Sequence, residues 1–253
     1  MLHHESYGKG QPVVILHGLF GAGENWRGTA SKLSGWQTLA PDLPSHGRSD
    51  ALPTWSHDRA ASSILKWADK QGLDKFPLVG HSLGGKVAMK IADIAADRIS
   101  NLIIADIAPI AYPPHHKHIF EALAGIDLQA LENRRQAEQQ LEQGGVTMKM
   151  VRQFLLKSLY RDDENFAWRF DVPGLKANQQ AISGAPSLTQ QFGGPTTLIY
   201  GADSTYIDQD GLKALHKYYP QAEMECIENA GHWLHVEQPQ AFVNTLLAAL
   251  ARG

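Results

Sequence analysis

The sequence predicts an α/β fold: a mostly parallel central sheet with helices on both faces and a helical insertion carried as a cap. Three observations predict it. Apolar runs without alternation, Pro12 to Leu16, Phe76 to Val79 and Ile99 to Ala105, read as strands buried on both faces. Stretches with apolar residues at helical spacing separate them, the alternation that builds a parallel sheet. At the centre, FPLVGHSLGGKVAMKIADIA (76–95) runs from strand through a tight turn into a helix, with Leu83, Val87, Ile91 and Ala95 on one face.

In order, Met1 to Ser6 can form one short strand, and Pro12 to Leu16 a buried one that runs into the glycine-rich loop His17-Gly18-Leu19-Phe20-Gly21. Open α/β sheets bind their ligands at such strand ends. Asn25 to Leu33 is expected to be helical, Trp36 to Ala40 a strand, and His57 to Gln71 a helix ended by Gly72. After the central strand–turn–helix, Ile99 to Ala105 delivers Asp106 to the same edge. From Pro109 to Pro195 no strand is expected; amphipathic stretches near 119–124, 128–143 and 148–159 predict an all-helical insertion over the site. Thr196 to Tyr200 resumes the sheet, Gly211 to Tyr219 is helical, Ala222 to Ile227 is the last strand, and Gln240 to Ala251 closes the chain as a helix. The expected division is a core of residues 1–108 and 196–253 with a cap of residues 109–195.

Composition excludes several functions. The 253 residues are 43% apolar and 19% charged, as in ordinary globular proteins. A net charge of −3 without a basic stripe argues against nucleic acid as a partner. No apolar run approaches a membrane span, and the first residues have neither the basic start nor the apolar core of a signal peptide. Cys226 is the single cysteine, so no internal disulfide forms and a reducing, cytoplasmic location is expected.

The chemistry starts at Ser82. Gly80-x-Ser82-x-Gly84 between strand and helix is a turn that lifts the serine hydroxyl clear of the sheet edge; a side chain at either glycine would collide with neighbouring backbone. A serine hydroxyl needs a base, and the base needs a carboxylate to orient it. Of twelve histidines, His232 follows the last expected strand and lies at the edge that carries Ser82. His81 is expected to line the pocket, and His235 to be packed or solvated. His115, His116 and His118 lack a matching carboxylate pattern, so neither a metal nor a cofactor is expected.

These residues carry a resemblance. Val14-Ile15-Leu16-His17-Gly18, the Pro41-Asp42 loop ending Gly47-Arg48-Ser49, Gly80-His81-Ser82-Leu83-Gly84-Gly85, and Gly231-His232 with Glu237-Gln238-Pro239 are similar to the α/β-hydrolase superfamily. Within it, His17 to Gly21, Ser82 to Lys86, Asp106-Ile107-Ala108-Pro109 and Gly231-His232-Trp233 resemble the YbfF-type esterases. The resemblance implies hydrolysis of short- to medium-chain acyl esters, and of acyl-thioesters of coenzyme A as a further substrate class. It places the acid either at Asp106, through the Asp-Ile-Ala-Pro pattern, or near the end of the penultimate strand. The usual superfamily position there, three residues beyond Gly201, is Ser204 and has no carboxylate; Asp203 lies one residue short. Asp106 is therefore favoured, with Asp203 the alternative.

The expected oxyanion donors are the backbone N–H of Leu83 and one from the loop after the first buried strand, Leu19 or Phe20. Phe120, Phe154, Trp168 and Trp233 are candidate walls of an acyl pocket. The same constellation serves lactonases, carbon–carbon hydrolases and perhydrolases, and the fold also admits a non-catalytic ligand-binding scaffold. Haloalkane dehalogenases and epoxide hydrolases are disfavoured because their relatives carry an aspartate at the position of Ser82. Oligomeric state has no signature in these motifs.

Overall fold

The computed structural model describes residues 1–113, 116–163 and 165–253. The elements in order are β1 (His4–Gly8), β2 (Gln11–Leu16), a 3-10 turn (Gly23–Trp26) leading into α1 (Arg27–Ala30), β3 (Trp36–Pro41), α2 (His57–Lys70), β4 (Phe76–His81), α3 (Leu83–Ile94) and β5 (Ile99–Ala105). There follow α4 (Lys117–Gly125), α5 (Arg134–Gln143), α6 (Lys149–Lys157), β6 (Leu159–Asp162), β7 (Asn165–Trp168), α7 (Val172–Ala177) and α8 (Gln179–Ser183). The chain closes with β8 (Thr196–Gly201), α9 (Gln209–Tyr218), β9 (Glu223–Ile227), α10 (Leu234–Glu237) and α11 (Pro239–Leu250).

Among the described residues, seven strands form one sheet in the order β1-β3-β2-β4-β5-β8-β9. Only β1 is antiparallel, paired to β3 with Tyr7 opposite Thr38. The strand order reverses between β2 and β4. The crevice at such a reversal is where open α/β sheets hold ligands, and here it opens between the loop after β2 and Ser82.

Alternate residues of one strand feed opposite cores, as the pleat requires. Val14 and Leu16 pack in the core shared with α2 and α3, while Val13 and Ile15 pack against Phe242, Val243 and Leu246 of α11. Both faces of the sheet are therefore dry, which accounts for strand sequences without polar alternation. Several helices start on short polar side chains: Ser56 accepts from the Arg59 amide at α2, Asn133 from Gln136 at α5, and Asp208 from Gly211 at α9. Among the described residues no helix is long and apolar enough to cross a membrane.

Two elements differ from expectation. The segment between β5 and β8 is not all-helical: β6 and β7 form an antiparallel hairpin, Leu159 opposite Trp168 and Asp162 opposite Asn165. Its strands have four residues each, and Arg161 and Asp162 are exposed, so no period of two can develop. The expected helix at Asn25 to Leu33 is a 3-10 turn followed by a single α turn. Gly28 weakens the helix, and the Asn25 side chain accepts from the Ala22 amide at 2.8 Å, capping a tighter start.

Candidate active site

Ser82 sits between β4 and α3 at φ 53°, ψ −119°, a conformation costly for a residue with a side chain. The turn is possible because a Cβ on Gly80 would strike the Gly84 carbonyl, and one on Gly84 the carbonyls of Leu16 and His17. Both glycines are steric necessities, as the sequence predicts. Asp106, the first residue after β5, is also left-handed, at φ 51°. Strands β4 and β5 pair directly, with His81 opposite Ala105, so the sheet delivers Ser82 and Asp106 side by side.

His232 arrives from the loop after β9 and lies between them. Its Nε2 is 3.0 Å from Ser82 Oγ and its Nδ1 is 2.7 Å from Asp106 Oδ2. The carboxylate fixes the tautomer: Nδ1–H donates to Asp106, leaving Nε2 to accept from the serine hydroxyl. Asp106 is fully buried and accepts further from Gly201 N at 3.1 Å and from Ser204 Oγ at 2.5 Å. Asp203, the alternative acid, is exposed, and its amide donates to the Ala230 carbonyl at 2.9 Å. The geometry thus brings Asp106 to His232, and Ser204, at the usual superfamily position, becomes a donor to it.

Sequence reasoning missed three supports of this cluster. Glu237 accepts from the Gly231 and Trp233 amides at 2.7 and 3.1 Å, bracketing His232 in its loop. His81 Nε2–H donates to the His232 carbonyl at 2.8 Å. The Tyr206 ring stacks on the imidazole with centroids 3.7 Å apart and planes 14° from parallel. Only Glu237 left a signal, through the Glu-Gln-Pro that follows Gly-His.

The loop after β2 is equally determined. His17 is buried, and its Nε2 accepts from the Leu43 amide at 2.9 Å while Nδ1–H donates to the Gly18 carbonyl at 2.8 Å. Burial pushes its pKa down to about 4, so the ring is neutral, as this pair of bonds requires. The Gly18 carbonyl also accepts from Gly21 N at 3.0 Å. A trans peptide points its N–H opposite to its C=O, so holding Gly18 O turns the Leu19 N–H the other way. Neither the Leu19 nor the Leu83 amide donates a hydrogen bond among the described residues. Phe20 sits at φ 63° with its buried ring against Phe120 at 4.9 Å and Phe170 at 5.2 Å.

A cavity of about 420 Å³ opens at Ser82. His81, His232, Trp233 and Phe154 line it with Leu19 and Phe20, and Phe154 meets Trp233 edge-on at 4.4 Å. Phe120 and Trp168 do not line it. Phe120 is fully buried behind Phe20, and Trp168 stacks on Phe170 at 5.5 Å; both are packing residues. Their apolar faces at helical or hairpin spacing gave no means of separating wall from core. His235, another wall, is packed between Trp26 and His81 at 4.8 Å from each. Arg152 is buried within the insertion, donating to Val146 and Thr147 carbonyls and pairing with Glu142 at 3.0 Å. His116 lines the cavity, His118 is exposed, and His115 lies outside the described residues.

Residues 11–239 match the model of the family described as alpha/beta hydrolase fold. The chain belongs to this family. Across 96% of its length it is 32% identical to the sn-1-specific diacylglycerol lipase ABHD11 of Danio rerio, covering 80% of that protein. Across 93% it is 34% identical to esterase YbfF of Escherichia coli strain K12, covering 91% of it. A solved marine microorganism esterase superposes with a TM-score of 0.93 at 32% identity, over 98% of this chain and 99% of that one. The enzyme class that these relatives share with the chain is that of the serine ester hydrolases.

Proposed function

We propose that the protein hydrolyses carboxylic esters with short- to medium-chain acyl groups through an acyl-enzyme on Ser82, with His232 as base and then acid and Asp106 as the orienting carboxylate. The observation that carries this is the continuous chain Ser82 Oγ, His232 Nε2, His232 Nδ1, Asp106 Oδ2, with links of 3.0 and 2.7 Å. His232 takes the serine proton as Oγ attacks the ester carbonyl. Buried Asp106 steadies the imidazolium that results. The Leu83 and Leu19 amides, held in place by helix α3 and by His17, receive the developing oxyanion. Collapse sends the proton to the leaving alcohol, and a water then repeats the sequence to free the acid. Residues 109–195 serve as the cap: Phe154 of α6 supplies an apolar wall above the serine, which favours uncharged acyl and alcohol groups. The guanidinium of Arg152 is engaged by carbonyls and Glu142, so nothing at that position supports a carrier phosphate, and oxygen esters are the preferred reading.

Steady-state hydrolysis of p-nitrophenyl esters by point variants tests the assignment. Ser82→Ala and His232→Ala should each lower kcat by about 10⁴-fold or more, and Asp106→Asn by about 10⁴-fold through loss of the tautomer. Asp203→Asn should change kcat less than about twofold. If Asp203→Asn is the damaging change and Asp106→Asn is mild, the acid assignment is wrong. A fluorophosphonate should label the wild type at Ser82 and spare Ser82→Ala; absence of labelling would favour a binding scaffold.

A further inference from the structure

Two cavities meet at Ser82, and they differ greatly in size. The large one, about 420 Å³, is walled by His232, Trp233, Phe154, Val151 and Ile119. The small one, about 30 Å³, is walled by Leu83, Lys86, Ile107, Tyr112 and Ile182. Ser82, Leu19, His116 and Tyr206 border both, but His232 borders only the large one. Resting on Ser82 as nucleophile and narrowing the acyl range of the proposed function to its short end, we propose that the small cavity takes the acyl group and the large one the alcohol, making the preferred substrates acetyl- or propionyl-sized esters of bulky apolar alcohols.

The argument follows the substituents of the reacting carbon. In the tetrahedral adduct that carbon carries Ser82 Oγ, the oxyanion, the alcohol oxygen and the acyl chain. The oxyanion points at the Leu19 and Leu83 amides. The alcohol oxygen must come within reach of His232 Nε2, because it takes the proton from that atom as the C–O bond breaks. The alcohol therefore occupies the cavity that His232 lines. The remaining direction, away from His232, leads to the small cavity. Water later attacks the acyl carbon and gives its proton to His232; that proton passes to Oγ as the serine leaves, and a short carboxylic acid is released.

The small cavity has tied walls. Lys86 Nζ donates to the Ser183 and Gly184 carbonyls at 2.8 and 2.7 Å and lies 4.7 Å from the Tyr112 ring centre. Tyr112 OH accepts from Ala108 N at 2.9 Å and donates to the Tyr206 carbonyl at 2.8 Å. A space of this volume holds about two water-sized groups, which suits a methyl or an ethyl. A longer acyl chain would have to break the bonds of Lys86 or displace Ile182.

Isomeric esters of identical composition test the division. With the wild-type protein in a pH-stat, octyl acetate should exceed ethyl octanoate in kcat/KM by about tenfold or more, the scale of mis-seated methylenes. Ile182→Ala should raise the rate on hexyl butyrate relative to hexyl acetate. Val151→Phe, which narrows the large cavity, should lower octyl acetate relative to methyl acetate. Equal rates or a preference for ethyl octanoate would overturn the division, as would a change of acyl-length profile in Val151→Phe rather than in Ile182→Ala. Loss of hydrolysis of every ester together with absence of fluorophosphonate labelling at Ser82 would instead overturn the parent reading.

Discussion

Asp106 reaches His232 from the end of β5, and Ser204, at the position where the superfamily pattern usually places the acid, hands it a hydrogen bond. On the proposed mechanism, Ser204 supports the carboxylate that orients His232. Hydrogen bonds to charged groups contribute about 1.5–3 kcal/mol, so Ser204→Ala should lower kcat by about tenfold with little change in KM. The pair Asp106→Asn with Ser204→Asp should recover at least about tenfold over Asp106→Asn alone, because Ser204 Oγ already lies 2.5 Å from the carboxylate being replaced. Steady-state kinetics on a p-nitrophenyl ester checks both; a Ser204→Ala with wild-type kcat would reduce the serine to a packing role. At this scale the sequence announces Ser82 and His232 through their glycines. It favours Asp106 over Asp203 only through the missing carboxylate at Ser204, because which carboxylate meets the imidazole depends on a left-handed residue at the end of β5 that no spacing encodes. The lock of His17 on Gly18 and the stacking of Tyr206 are hydrogen-bond and ring geometries, and they become visible only when distant segments meet.

Among elements, the sheet is the readable part. Strands β2, β4, β5 and β8 are buried on both faces, so their apolar runs have no competing explanation. The insertion is harder. Helices α4, α5 and α6 show their amphipathic faces, whereas α7 and α8 contain only six and five residues and the β6–β7 hairpin is too short for a period. Arg134 helps to define that hairpin, donating to the carbonyls of Leu156 and Leu159 at 2.5 Å each, a long-range bond that local sequence does not disclose. The strand-to-helix turn at Ser82 allows a direct test of element packing. Gly84→Ala puts a Cβ against the carbonyls of Leu16 and His17, and overpacking of this kind costs about 1–3 kcal/mol. For a chain of this size that lowers Tm by about 2–12 °C, with a larger fractional loss of activity because β2 and its loop must shift. Thermal unfolding followed by circular dichroism measures the first, and ester hydrolysis the second. An unchanged Tm would mean that the turn has slack.

Across the whole molecule, the unusual feature is the number of histidines held neutral in the interior. Burial pushes His17 down to about 4 and His46, His57 and His235 down to about 3, while His81 lies well below the usual value, again chiefly through burial. In the unfolded chain each would titrate near 6.5. Below that pH the unfolded state binds more protons than the folded one, so stability rises with pH through this window and is lost as pH falls from about 6.5 toward 4. Urea unfolding midpoints should be level above pH 7 and drop steeply between pH 6 and 4. Substituting His235→Phe, which keeps a ring between Trp26 and Phe242, should flatten that slope. A midpoint independent of pH over this range would show that these rings take up no protons on unfolding.

The order in which the chain supplies its parts has a consequence for biosynthesis. The proposed oxyanion loop, Ser82 and Asp106 all lie in the first 106 residues, but the proposed base, His232, comes 150 positions after the serine and 126 after the aspartate. A growing polypeptide can complete β4, α3 and β5 long before any imidazole stands beside the hydroxyl. On the proposed mechanism, until the segment after β9 docks, with Glu237 and His81 seating its loop, the serine has no base to take its proton. The proposal thus implies that nascent and prematurely ended chains do not hydrolyse esters, and that the reactive centre is assembled only when the last strand of the sheet has found its place.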